Sequence, residues 1–156
     1  MNEKILIVDD DTDLLKTLLK LLKKEGYDAA AVDNSSEALE KIRQEYFDII
    51  ILDVRMPGMD GLTALEKIRQ MQGDSVQSNV IVCTAFASED APVKALKLGA
   101  MDYIMKPFDI KDFLKSVEQN LKLVRTVKNR EQFFNEVVET NKKLEKEIGD
   151  LRKKNS

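Results

Sequence analysis

Four places in this chain carry side chains that could act together on a group rich in anionic oxygens: the run Asp9-Asp10-Asp11, then Asp53, Thr84 and Lys106. Each follows a short apolar, β-rich run: Ile5-Leu6-Ile7-Val8, Phe47 to Leu52, Val80 to Cys83, and Asp102 to Met105. Taken singly, the acidic triplet and Thr84 read as helix caps and Lys106 as a solvated cation. Their joint appearance at the ends of four predicted strands makes coincidence a poor account. Clustered carboxylates repel by roughly 4 kcal/mol at about 4 Å and an effective dielectric near 20. A hard divalent cation relieves that repulsion, and Mg²⁺ typically takes one or two carboxylates and keeps several waters. A carboxylate nucleophile, Mg²⁺, a lysine and a threonine together suit the transfer of a phosphoryl group onto aspartate.

The elements that must position these groups follow a strand–helix rhythm. After the first strand, Leu14, Leu15, Leu18, Leu19, Leu21 and Leu22 recur at helical spacing, and Gly26 ends that helix. Tyr27 to Val32 reads as a weaker strand. Asn34 or Ser35 can cap a second helix carrying Ala38, Leu39 and Ile42. A loop at residues 56–61 leads to a helix over Leu62 to Met71, and a further helix around Ala91 to Leu98 stops at Gly99. Strands one, three and four are continuously apolar, the pattern of strands covered by helices on both faces. The chain is therefore expected to form an α/β, doubly wound, five-stranded parallel sheet, with its chemistry at the carboxyl ends of the strands.

Composition narrows the field. The 156 residues carry a net charge of −3, a balance unsuited to gripping a phosphate backbone, so no direct nucleic-acid binding is expected. Histidine is absent, which excludes an imidazole zinc site, a Ser-His-Asp hydrolase and a phosphorelay histidine domain. Cys83 is the one cysteine, expected to be a reduced core thiol. No apolar stretch approaches the roughly 20 residues of a membrane span, and the first residues do not form a signal peptide, so the expectation is a cytoplasmic protein without a membrane partner.

Four motifs, in order, resemble the receiver domain of two-component response regulators: residues 5–11, Ile51-Leu52-Asp53-Val54-Arg55-Met56-Pro57-Gly58-Met59-Asp60-Gly61, Thr84-Ala85, and residues 99–108. The resemblance covers about residues 3–122. It implies a flavodoxin-like sheet of order 2-1-3-4-5 and a phosphoacceptor rather than an enzyme on diffusible substrates. Asp53 would accept the phosphoryl group from a sensor histidine kinase. Asp9, Asp10, Asp53 and the main-chain carbonyl of Arg55 would hold Mg²⁺, Asp9 through water. Lys106 and Thr84 would bind the phosphoryl oxygens, Tyr103 would swing as Thr84 moves, and Pro107 would follow a cis peptide. Arg55 and Phe86 stand where acyl-phosphate lifetime is tuned, and their bulk predicts slow self-hydrolysis. A haloacid-dehalogenase-type phosphatase is the weaker alternative. Asp9-Asp10-Asp11-Thr12-Asp13 ends in Asp where that family needs Thr or Val, and Asp53 would have no role. Neither a Gly-x-Gly-x-x-Gly fingerprint nor a P-loop is present.

The receiver is expected to occupy residues 1–122, its last helix facing the sheet with Leu114, Val117, Leu121 and Val124. Residues 123–156 read as a helical dimerisation linker. A heptad places Val127, Phe134, Asn141 and Ile148 at a, with Arg130, Val137, Leu144 and Leu151 at d. The β-branched a residues, leucine at d, and a single a-position asparagine favour a parallel two-stranded coil, hence a homodimer. Phe133 and Val138 make the stripe wider than a narrow seam needs, which suggests a further contact for that patch. The linker is similar to that of NtrC-type regulators, which act on alternative-sigma-factor polymerase. The alternatives are the front end of a larger, transcriptional regulator or an output-free receiver that relays phosphate or binds partners.

Overall fold

The computed structural model describes residues 3–85 and 90–156. It divides into two units, Met1–Leu121 and Lys122–Ser156. In the first, five strands, β1 (Lys4–Val8), β2 (Asp28–Val32), β3 (Ile49–Leu52), β4 (Asn79–Thr84) and β5 (Asp102–Met105), form one parallel sheet of order β2-β1-β3-β4-β5. Four helices, α1 (Thr12–Lys24), α2 (Ser35–Gln44), α3 (Gly61–Gln72) and α4 (Ala91–Lys97), connect them, and α5 (Ile110–Lys154) follows β5. This is the expected doubly wound, flavodoxin-like architecture, with element borders within a few residues of the sequence reading.

Side-chain alternation along the three central strands feeds two separate cores. Leu6, Val8, Ile50, Leu52, Val80 and Val82 point to the face covered by α2, α3 and α4, where Leu39, Leu65, Ile68 and Ala95 are buried. Ile5, Ile7, Ile49, Ile51, Ile81 and Cys83 point to the other, against Leu15, Leu18 and Leu22 of α1 and Phe113, Val117 and Leu121 of α5. Because both faces are dry, each strand reads as uninterrupted apolar sequence although its side chains alternate. Fully burying one such Leu or Ile is worth about 1.5–3 kcal/mol, so the two cores fix the register firmly.

Short polar side chains start α1, α2 and α3. Asp11 Oδ1 accepts the Leu14 N–H (3.1 Å), Asn34 Oδ1 that of Glu37 (2.9 Å) and Asp60 Oδ1 that of Thr63 (2.8 Å), each satisfying a donor the helix itself leaves unpaired. At the opposite edge of the sheet the Arg69 guanidinium, on α3, donates to the carbonyls of Ser78 (2.7 Å) and Gly99 (2.7 Å), with Leu98 O at 3.4 Å. One cation thereby joins α3 to the start of β4 and the end of α4. The second unit is the continuation of α5 from Lys122, a single charged helix. Among the described residues no helix is long and apolar enough to cross a membrane.

Candidate functional site

Register brings the chemistry together. Val8 pairs with Leu52, so the next residues, Asp9 and Asp53, leave the sheet side by side, and the Asp53 N–H donates to Val8 O at 2.9 Å. Leu52 in turn pairs with Val82, two residues short of the end of β4, so Thr84 reaches past the others. Thr84 pairs with Met105, and the Lys106 N–H donates to Thr84 O at 3.0 Å. All four groups thus stand at the carboxyl edge of the sheet, next to the point between β1 and β3 where strand order reverses.

The side chains of Asp9, Asp53 and Lys106 are only 5%, 6% and 16% exposed. The Lys106 ammonium donates to Asp9 Oδ2 and lies 3.4 Å from Asp53 Oδ2. Burial pushes the Asp9 carboxyl above the usual carboxylate range, against the opposing hydrogen bonds from Lys106 and the Asp11 N–H; the charge of Asp53 pushes the same way as burial. Burial alone would pull the Lys106 ammonium down. Its hydrogen bond to Asp9 and the charges of Asp9 and Asp53 outweigh that and hold it above the ordinary lysine range. Lys106 is therefore a fixed cation between two carboxylates.

Asp10 is exposed, yet its carboxylate belongs to the same group: one oxygen from each of Asp9, Asp10 and Asp53 lies within 4.8 Å of the others. A cluster of three carboxylates with a single ammonium leaves negative charge uncompensated. The all-oxygen donor set fits a hard divalent cation. Asp11 caps α1, its Oδ1 accepting the Leu14 N–H. Arg55 donates its N–H to Asp53 Oδ1 (3.3 Å), while its side chain is exposed. Thr84 is fully buried, and Tyr103 is half-buried, its hydroxyl raised first by burial and then by the charge of Asp53. The Lys106–Pro107 peptide is cis. Phe86 lies outside the described residues. Cys83, one residue before Thr84, is buried with its thiol pushed up to about 12, so it is a neutral core side chain at physiological pH.

Two features were not visible in the residue pattern. Asp9 and Lys106, 97 positions apart, form an ion pair directly. Gly61 opens α3 against the back of Asp53: its N–H donates to Val54 O (2.7 Å), and a Cβ there would lie 2.0 Å from Asp53 O. Glycine as the first residue of a helix, right after a capping aspartate, was the available signal, since glycine is a poor helix former retained where backbones approach closely.

Residues 5–118 match the response regulator receiver domain family. The chain is 38% identical across 120 residues to the transcriptional regulatory protein ZraR of Escherichia coli (strain K12), covering 77% of this chain and 26% of that protein. It is 34% identical across 122 residues to the chemotaxis protein CheY of Bacillus subtilis (strain 168), covering 78% of this chain and 99% of that protein. The chain thus spans about a quarter of the length of ZraR and nearly all of CheY. A crystal structure of the response regulator protein TrrA from Thermotoga maritima, in complex with Mg(2+)-BeF, superposes with a TM-score of 0.66 at 30% identity, covering 76% of this chain and 98% of that one. With a family match over most of its length and a relative matched almost end to end, this chain belongs to the response regulator receiver domain family, the phosphoacceptor modules of two-component signalling.

Proposed function

We propose that Asp53 is the phosphoacceptor and that a sensor histidine kinase is the donor. The observation that carries this reading is the meeting of Asp9, Asp53 and Lys106 in one buried hollow at the ends of β1, β3 and β5. A carboxylate oxygen of Asp53 attacks the phosphorus of the kinase's phosphohistidine. The P–N bond breaks, its electron pair returns to the imidazole, which takes up a proton, and an acyl phosphate remains on Asp53. Lys106 supplies a fixed positive charge toward the phosphoryl oxygens, and Thr84 supplies a hydroxyl at the same edge. Asp9, Asp10, Asp53 and the Arg55 carbonyl would hold Mg²⁺, which supplies charge neutralisation for the transferring group. The oxygen-only donor set supports that ion, as does the Mg(2+)-BeF complex of the similar TrrA.

Modification at Asp53 gives Thr84 and Lys106 a new anionic partner. The conformation in which both reach it gains population, with Tyr103 following Thr84. The bulk of Arg55 and Phe86 slows loss of the phosphoryl group to water. A second copy associates through the exposed α5 seam of Val127, Phe134, Val137, Asn141, Leu144, Ile148 and Leu151, and the receiver controls an output function, as its likeness to a transcriptional regulatory protein supports. The reading as an output-free relay draws instead on the near-complete coverage of CheY.

The deciding measurement is intact mass after incubation with a small phosphodonor. One phosphoryl adduct is expected with Mg²⁺, far less in EDTA, and none in Asp53→Ala. An adduct of undiminished yield in Asp53→Ala overturns the assignment.

A further inference from the structure

The inner face of α5 carries two rows of side chains spaced four apart. Phe113, Val117 and Leu121 form the first and are fully buried against the sheet. Ser116 and Asn120 lie in the second, which Val124 continues, and they are only 7% and 4% exposed. Residues four apart stack into one ridge of a helix, so an apolar and a polar row run side by side along α5. An apolar second row would bind the helix to the sheet more tightly. Neither polar residue takes part in the chemistry proposed for Asp53.

The two polar residues are satisfied unequally. The Ser116 hydroxyl donates to Asp102 Oδ2, at the start of β5, and the other oxygen of that carboxylate accepts the Tyr103 N–H at 2.8 Å. Asn120 Nδ2 donates to Ser116 O within the helix at 2.9 Å. Asn120 Oδ1 is buried and accepts no hydrogen bond, the one buried side-chain oxygen or nitrogen in that state among the described residues. A carbonyl held out of water without a donor destabilises the conformation that holds it. A donor stands beside it. Asn79 Nδ2, from the first residue of β4, lies 3.5 Å from the main-chain oxygen of the same Asn120, the outer limit of a hydrogen bond. Asn79 thus holds weakly to one oxygen of Asn120 while the other lacks a donor.

We infer that α5 has a second seating on the sheet, in which it rolls about its apolar row and Asn79 Nδ2 passes from Asn120 O to Asn120 Oδ1. Helix shifts of about 1–2 Å at packed interfaces accomplish exchanges of this size. The link to the phosphorylated edge is Asp102, whose carboxylate joins the backbone N–H of Tyr103 to the Ser116 hydroxyl. A displacement of Tyr103 that follows Thr84 reaches α5 through this one carboxylate and selects the second seating. Asn120 is a positioning residue: it lowers the stability of the present seating and so brings the other close in free energy. The trigger rests on the proposed phosphorylation of Asp53; the existence of two seatings does not.

Hydrogen exchange of the α5 amides between Phe113 and Leu121, read by mass spectrometry on the full chain, tests both parts. Asn120→Leu removes the unpaired carbonyl at nearly constant volume. It should raise the urea midpoint and slow α5 exchange in the unmodified chain at least about fivefold. Asn79→Ala removes the donor of the second seating and should leave unmodified exchange within about twofold of the parent, because only a long contact is lost. With Mg²⁺ and a small phosphodonor, α5 exchange in the parent should change several-fold. Both variants should lose that change while intact mass shows the same phosphoryl adduct. An Asn120→Leu chain that is less stable than the parent, or whose α5 exchange is unchanged, overturns the second seating, as do variants that keep the parent's full response. An adduct on the parent without any change in α5 overturns the link through Asp102. Absence of an adduct on the parent overturns the phosphoacceptor reading instead, and the two seatings then stand or fall on the unmodified variants.

Discussion

Lys106 is bonded to Asp9 and lies 3.4 Å from Asp53, with all three side chains largely out of water. Removing one partner of a buried pair leaves the others uncompensated, which costs about 3–5 kcal/mol when burial is complete. The hollow opens to solvent at Asp10, so the expected loss for Lys106→Ala is smaller, about 2 kcal/mol by urea denaturation in EDTA. Added Mg²⁺ should shrink the difference from the unaltered chain, because a cation then stands where repelling carboxylates were left. A variant as stable as the parent in EDTA would show that the ammonium is not needed to offset Asp9 and Asp53. The acids were legible in the sequence because each ends an apolar run. The pairing of Asp9 with Lys106 was not, because it depends on the register of β1, β3, β4 and β5 together.

At the scale of elements, α3 is held to β3 by an absence of side chain. The same substitution should therefore act oppositely at two helical glycines. Gly61→Ala places a Cβ 2.0 Å from Asp53 O and 2.7 Å from Val54 Cα, both backbone atoms that cannot turn aside. Overpacking of this kind costs about 1–3 kcal/mol or more, and here it displaces the residue at the centre of the site, so acceptance of phosphate should slow as stability falls. Gly149→Ala, in open space within α5, should stabilise its helix by about 0.5–1 kcal/mol. Thermal unfolding of both, with phosphorylation rates for the first, checks the pair. The strong strands were readable from their unbroken Ile, Leu and Val runs, and α1 from its leucine spacing. Ala-rich β2 was weak because its apolar signal is small. Phe113, fully buried and stacked on Phe108 with ring centroids 5.3 Å apart, escaped the sequence reading of the last helix, which began at Leu114.

For the whole molecule, both cores are built from residues no later than Leu121. A chain ending at Thr126 should thus unfold cooperatively by calorimetry, accept phosphate at Asp53 and sediment as a monomer. Aggregation or loss of a cooperative transition would mean that the receiver depends on the later helix for its fold. Within the receiver, the far edge of the sheet has its own organisation. The Arg69 guanidinium moors the tail of α4 to the root of β4 through Gly99 and Ser78. A pull delivered at the Thr84 end would meet a helix tethered behind, so the expected response of α4 is to turn like a door on its hinge instead of sliding along the sheet, a small displacement beside the hollow becoming a tilt of the whole helix.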